Sequence, residues 1–374
     1  MSKNKEQDNG EATKGTLDAL LNKYKDDHFN FIENHPVKVS TGSLNLDQEI
    51  VLTEGIHRFV GYSGAGKSSE ALLIMKNFLD IKNEKRKAIL VKAEGRLSDN
   101  IKARSGVKFC FDAKQWNYGT CFVLESNLME FICETLETIV KQSYTEGERL
   151  LVVIDSVDGL RLKADEKKGF GEEKVAGAPG LMKRFLSKMS LPLQKYGVVC
   201  ICLSQVSSNI KIDPYSKEAP KMTSGGGGWA LVHFANYILE FEARYNGDNI
   251  LEDPKAKYDP EKNKIVGHWA TVTIKKSDKE NEFTKVKYPI KHGRLGGNSI
   301  WIEYEIIDIL LGWSLLKKAG AWLNFSPTLI EEAKSSGITI EPQHQGIDNL
   351  RKYLEDNQNI TEYLFNRFKE VLGK

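Results

Sequence analysis

Gly61-Tyr62-Ser63-Gly64-Ala65-Gly66-Lys67-Ser68 is the stretch that decides the fold class. A strand-like run, Ile56 to Val60, precedes it, and a helical pattern from Ser69 to Leu79 follows. The order is strand, glycine-rich loop, helix, and G-x-x-x-x-G-K-[ST] in that setting is a phosphate-binding loop. Glycines let the backbone curl, so that successive N–H groups point inward at phosphate oxygens. The loop opens into a helix N-terminus, whose free N–H groups and dipole favour an anion. Gly61, Tyr62, Ser63, Gly64, Ala65, Gly66, Lys67, Ser68 and Ser69 are therefore the candidate nucleotide-binding residues. Lys67 is placed to reach the β- and γ-phosphates, and the Ser68 hydroxyl to ligate Mg2+.

Downstream, Leu150-Leu151-Val152-Val153-Ile154-Asp155 is an apolar strand ending in an acid. An unbroken apolar run of this kind marks a parallel strand buried on both faces. Asp155, at the strand tip opposite the phosphate loop, is the candidate metal carboxylate, and its alternative role is to cap the next helix. Glu94 follows the strand Ala88 to Val91, and Gln205 follows Val198 to Leu203. Parallel strands bring their C-terminal ends to one rim. There Glu94 can act as general base on an attacking water. Gln205 can contact a γ-phosphate and report it to the following loop. The alternative for each is a polar strand end facing solvent.

Strands alternating with helices imply a mostly parallel, helix-covered sheet. Beyond it, Tyr237 to Phe241, Trp269 to Ile274 and Phe283 to Ile290 predict an extension that is antiparallel in part. The charged connection Tyr245 to Lys264, with Pro254 and Pro260, is predicted to be mobile, and Trp301 to Lys318 to be helix. Two glycine-bearing loops follow strands on the rim. One, about 163–180, carries Lys167, Lys168, Gly169, Phe170 and Lys174. The other, about 206–229, carries Ser207 and ends Gly225-Gly226-Gly227-Gly228-Trp229. Long loops within a compact domain are usually functional. Cations, glycines and an aromatic residue together suit a single-stranded nucleic-acid backbone. Two disordered surface loops are the other reading.

Lys and Arg number 53 against 51 Asp and Glu, a net charge of +2, so any affinity for DNA must come from local patches or backbone amides. No apolar run is long enough to span a bilayer, and the polar N-terminus lacks a signal-peptide core, so a cytoplasmic protein is expected. Cys110, Cys121, Cys133, Cys200 and Cys202 show no paired metal spacing, and an odd count fits a reducing compartment. Cys200 and Cys202 alternate on a predicted buried strand, which suits core packing.

These segments, in this order, resemble the RecA recombinase family, including its phage UvsX-type members. Val39-Ser40-Thr41-Gly42-Ser43-Leu44-Asn45-Leu46-Asp47 is similar to the family's approach to its core. Ala93-Glu94 matches the catalytic glutamate, Ile154-Asp155-Ser156-Val157 the start of the first DNA loop, and Leu203-Ser204-Gln205 the nucleotide-sensing glutamine. Gly227-Gly228-Trp229-Ala230-Leu231 resembles the end of the second DNA loop. Lys318-Ala319-Gly320-Ala321-Trp322 and Leu350 to Leu372 resemble the C-terminal region, so the likeness spans Thr16 to Leu372.

The resemblance implies an α/β P-loop NTPase with a RecA-like core on a mostly parallel twisted sheet, an N-terminal helix and a small α/β C-terminal domain. The implied boundaries are a disordered leader at 1–15, an oligomerisation helix at 16–36, the ATPase core at 37–292 and the C-terminal domain at 293–374. ATP and Mg2+ would sit on Gly64, Gly66, Lys67, Ser68 and Asp155, with Glu94 activating water. The implied activity is a DNA-dependent ATPase that forms filaments on single-stranded DNA and exchanges strands with homologous duplex DNA in recombination and repair. The N-terminal helix would dock on the next subunit, with ATP at the subunit interface. A lysine from the neighbour would reach the γ-phosphate: Lys276 fits best, Lys275 is the other candidate, and the family's second cation falls on Asp278 or Lys279. Single-strand-binding and loading proteins would be further partners, in a host cytoplasm if the chain is phage-encoded. The sequence departs from the family where no clean counterpart of the adenine-stacking tyrosine appears near Asn100 to Ala103, and where a coupling aromatic falls on His233. A RecA-like regulatory or loading protein without strand exchange, or a RecA-fold helicase, remains an alternative.

Overall fold

The structure is a computed structural model that describes residues 3–23, 37–166, 178–208, 222–224 and 228–373. The chain divides into two units, Met1–His35 and Pro36–Lys374. The first holds helix α1 (Lys3–Lys23). One helix thus runs through most of the segment read from sequence as a leader. Lys, Glu, Gln and Ala are good helix formers, and their run outweighs the glycines at 10 and 15. Leu17 and Leu20 on α1 are exposed.

The second unit is organised by an eleven-stranded sheet. Its strands are β1 (Gly55–Gly61), β2 (Arg86–Lys92), β3 (Phe109–Cys110), β4 (Cys121–Glu125), β5 (Arg149–Asp155) and β6 (Val198–Ser208). They continue with β7 (Met222–Ser224), β8 (Tyr237–Phe241), β9 (Asn249–Leu251), β10 (Ile265–Lys276) and β11 (Lys285–Lys291). The order is β11-β10-β8-β1-β6-β5-β2-β4-β3, with β7 on β6 and β9 on β10. From β8 to β3 every pairing is parallel, while β10 pairs antiparallel with β8, β9 and β11. This is the mostly parallel sheet with an antiparallel extension that the pattern implies.

Burial on both faces explains the unbroken apolar runs: Leu150 to Ile154 are all within 1% of full burial. One face packs on α2 (Leu44–Glu49) and α3 (Lys67–Leu79). The other packs on α5 (Met129–Thr145), α7 (Ala178–Lys195) and α8 (Gly228–Phe234). The short α4 (Asp99–Ser105) and α6 (Lys163–Glu166) lie in connections. All five cysteines are free, and Cys200 and Cys202 are buried in the core.

The segment before β1 is a buried clasp. Asp47 accepts from Thr41 N at 2.8 Å and from Thr41 Oγ1 at 2.9 Å. Ser43 caps α2 by accepting from Leu46 N. It also donates to Glu305, whose second oxygen accepts from Leu44 N at 2.9 Å. Glu305 lies on α9 (Ile302–Gly312), so this clasp ties the C-terminal region to the core. That region adds a small sheet of β12 (Leu316–Ala319), β13 (Trp322–Phe325) and β14 (Gln343–Gln345), with helices α10 (Pro327–Ser335), α11 (Ile347–Asp356) and α12 (Gln358–Val371). Leu44 from the clasp sits in its apolar cluster.

Two expectations change here. The helix predicted to reach Lys318 stops at Gly312, because Ser314 turns the chain with φ 59° and Leu316 begins a hairpin. The connection read as mobile is organised around buried Asn263. Its Nδ2 donates to the carbonyls of Asp253, Ala256 and Lys257 at 3.0–3.1 Å, and its Oδ1 accepts from Asp253 N.

Candidate nucleotide site

The register of parallel strands assembles the site. Gly61 pairs with Gln205 across β1 and β6, and Lys92 pairs with Asp155 across β2 and β5. The ends of β1, β2 and β5 therefore stand on one rim beside Gln205, where the parallel part of β6 stops and the strand runs on to Ser208. At Gly61 a Cβ would meet the Phe241 carbonyl oxygen at 2.3 Å, so the close approach of β8 demands glycine. Gly66 has φ 99° in the left-handed region and caps α3, aiming the helix N-terminus into the loop.

Lys67 is buried, and its Nζ donates to Gly61 O and Tyr62 O, both at 2.7 Å. Burial holds its ammonium below the usual lysine range, while Asp155, Asp158 and Glu94 pull the other way. Three acids thus surround the one loop cation. Ser68 is half-buried behind it, and Tyr62, Ser63 and Ser69 are exposed.

Each of the other rim residues already has a partner. Asp155 Oδ2 is 2.8 Å from Lys92 Nζ. Glu94 Oε1 accepts from Ser156 Oγ at 2.9 Å, and a Cβ on Gly159 would meet Glu94 Cγ at 2.5 Å. Gln205 N donates to Asp158 Oδ2 at 2.6 Å. The short segment 156–159 after β5 therefore touches both candidate rim groups, Glu94 and Gln205.

Sequence reasoning missed Lys92, Ser156, Asp158 and Arg58. Arg58 left a visible signal, a cation in the middle of a core strand. It is 2% exposed, its Nε donates to Ser204 Oγ at 2.9 Å, and its Nη2 has no partner. Burial pulls its pKa down, with Asp158 opposing.

Lys276 is not brought to the phosphate loop of its own chain. It lines a separate cavity with Arg58, Trp229 and His233, and its Nζ donates to Val232 O and His233 O at the end of α8. Lys275 pairs with Glu240 at 2.7 Å. Asp278 accepts from Tyr237 Oη, so of the two positions weighed for a second cation the acid is turned inward.

Lys167, Lys168, Gly169, Phe170, Lys174, Gly225, Gly226 and Gly227 lie outside the described residues, as does the side chain of Ser207. The second loop is shorter than predicted. β6 continues to Ser208 and pairs antiparallel with β7, and α8 already begins at Gly228. That ladder satisfies backbone groups a loop would leave to water. Trp229, in the first turn of α8, is 85% exposed.

Beside the loop a cavity of about 200 Å³ continues along α4, β10 and β11. Gly64, Gly66 and Ser69 form one end, and Ile101, Arg104, Arg244 and His268 line it further on. The place where a stacking aromatic was sought holds Ile101.

No family model matches the chain. Curated proteins do. Protein RecA of Bordetella avium is 24% identical over 347 residues, covering 92% of this chain and 84% of that protein. Protein RecA of Porphyromonas gingivalis is 22% identical over 337 residues, 89% and 85% of the two chains. Protein RecA of Caulobacter vibrioides is 25% identical over 329 residues, 86% and 78%. The chain is thus similar to RecA proteins over about nine-tenths of its length.

A RecA-like α/β core is what the mostly parallel sheet and its helices describe. The donor set also fits Mg2+. Ser68 and Asp155 offer oxygen ligands to a hard cation that normally keeps waters and phosphate oxygens as its other ligands. Among the described residues no group of three or more His, Cys, Asp or Glu can hold a metal alone. Nor is any described helix long and apolar enough to cross a membrane.

Proposed function

We propose that this chain is a RecA-family, DNA-dependent ATPase that forms filaments on single-stranded DNA and promotes pairing and strand exchange with homologous duplex. One observation carries the reading. Glu94 and Gln205 are both bonded to the segment 156–159, which leads through α6 to the first candidate DNA loop. Chemistry at the rim and grip on DNA then share a mechanical element.

In the mechanism Lys67 exchanges its bonds to Gly61 O and Tyr62 O for β- and γ-phosphate oxygens. The loop N–H groups and the start of α3 take the remaining phosphate charge. Ser68 and Asp155 would hold Mg2+, which when bound would neutralise charge developing on the β- and γ-phosphates. Glu94, oriented by Ser156, accepts a proton from a water as that water's oxygen attacks the γ-phosphorus. The bond to the bridging oxygen breaks, leaving ADP and phosphate. The Gln205 side chain would turn toward the γ-phosphate while its backbone N–H stays on Asp158, so a shift of that strand would carry the segment and the first loop with it.

Lys167, Lys168, Gly169, Phe170 and Lys174 in the first loop, and Ser207, Gly225 to Gly228 and Trp229 in the second, would contact the strand, with Trp229 offering a stacking face. Lys276 would reach the γ-phosphate of the neighbouring subunit. Its bonds to the end of α8 link that cation to the helix Trp229 begins. The helix at 16–36 would dock subunit to subunit.

Electron microscopy of the chain with single-stranded DNA, ATP and Mg2+ tests this reading. Regular helical filaments are expected. Isolated particles under those conditions would remove the recombinase assignment.

A further inference from the structure

The parallel ladder between β5 and β6 ends at Ile154 and Cys202, while β6 stays paired with β1 as far as Gly61 and Gln205. Beyond Cys202 the β5 side of β6 needs another partner, and the Asp158 carboxylate supplies one by accepting from Gln205 N at 2.6 Å. The residue before Gln205 is gripped by the opposite charge. Arg58 stands level with Cys202 in the middle of β1, and residues two apart on a strand share a face. Its side chain therefore runs forward along the sheet, and Nε donates to Ser204 Oγ at 2.9 Å. Both residues are buried, Arg58 at 2% and Ser204 at 0% exposure. A guanidinium so deep is costly without a charged partner, yet Nη2 has no hydrogen bond. Glu240, which lines the same cavity as Arg58, is paired with Lys275. Of the charges that sustain the guanidinium against burial, Asp158 comes first.

We propose that Arg58 is a positioning residue for Gln205: it fixes Ser204, and its charge keeps the Asp158 carboxylate on the Gln205 N–H, so that a shift of β6 is passed to segment 156–159 and the first DNA loop. Two adjacent residues of β6 are then held by opposite charges on two different elements, β1 and the segment after β5. With a neutral side chain at 58, Asp158 has less to hold it inward, and β6 can move without the segment. Arg58 lines neither the cavity beside the phosphate loop nor the one around Glu94, so the chemistry itself does not depend on it. The inference rests on the reading of Gln205 as the group that meets the γ-phosphate, and adds the residue that couples it to the loop.

The test is phosphate release by the full chain with ATP and Mg2+, with and without oligothymidylate. Arg58→Met keeps the length of the stem and removes the charge, a change that buried sites tolerate. It should leave the basal rate and the KM for ATP unchanged and lower the DNA-stimulated rate about tenfold, or to the basal rate, the order expected for one hydrogen-bonded charge. The double variant with Asp158→Ala should be no worse than either single one, because the two side chains act as a unit. Full acceleration in Arg58→Met overturns the inference, as does a basal rate that falls by the same factor as the stimulated one. A thermal melt checks the fold. If Arg58→Met does not fold, Ser204→Ala decides, since it breaks the Nε bond at a small side chain: lost acceleration supports the inference and full acceleration overturns it. An intact chain indifferent to DNA overturns the reading of Gln205 and the DNA loops along with it.

Discussion

Lys92 Nζ lies 2.8 Å from Asp155 Oδ2, at the paired ends of two adjacent parallel strands. The carboxylate assigned to Mg2+ thus has a resident cation, and both side chains are mostly buried, at 14% and 16% exposure. Ammonium and metal compete for one group. Lys92→Met should lower the Mg2+ concentration for half-maximal ATP turnover by about fivefold, the equivalent of about 1 kcal/mol for a partly exposed pair. A Mg2+ titration of phosphate release checks this, and an unchanged midpoint would detach Asp155 from the metal.

Lys67 is the only loop residue whose charge the neighbouring acids Asp155, Asp158 and Glu94 all reach. Lys67→Ala should abolish ATP turnover. It also removes two bonds that hold the loop's own carbonyls, so filter binding of ATP should fall together with the rate.

Glu94→Gln should leave ATP binding intact and slow hydrolysis by about 10²- to 10⁴-fold, the range for losing a general base. Gly159→Ala approaches the same group from the other side. Its new Cβ would meet Glu94 Cγ at 2.5 Å, so it should slow turnover without weakening nucleotide binding. Single-turnover assays beside binding titrations separate the two effects. Normal turnover in Glu94→Gln would end its assignment as base.

Glu305 connects pH to stability. It is fully buried, and burial pushes its carboxyl up to about 8 against the hydrogen bonds from Ser43 and Leu44. The folded chain then holds a proton that the unfolded chain releases near 4.5. Its contribution to stability is full below that value and is lost as pH rises through about 8. The slope is at most about 1.4 kcal/mol per pH unit. Glu305→Gln should flatten this part of the profile in thermal melts taken between these two values. A wild-type profile of equal slope to the variant's would show that Glu305 is ionised in the fold.

The place of residues 61–68 between β1 and α3, and of Asp155 at the end of β5, was legible in the sequence because both signals are local. One is a fixed spacing within eight residues, and the other a buried strand ending in an acid. Lys92 and Ser156 were not legible as partners of Asp155 and Glu94, since only the register of β2 on β5 brings residues 62 or 63 positions apart together. Arg58 could have been flagged as a cation in a core strand, but its partner Ser204 is 146 residues away. The shape of the connection 245–264 was hidden for a related reason. A single buried amide, Asn263, does the work that composition assigned to flexibility. Of the DNA-contacting candidates, the described residues reach Trp229 and the backbone of Ser207 and Gly228.

Phosphate release with and without single-stranded DNA tests most directly whether the rim and the DNA loops share one element, compared between the intact chain and Asp158→Ala. The account predicts that DNA accelerates hydrolysis in the intact chain, and that Asp158→Ala retains the basal rate while losing that acceleration. A rate in the intact chain that is indifferent to DNA would contradict it.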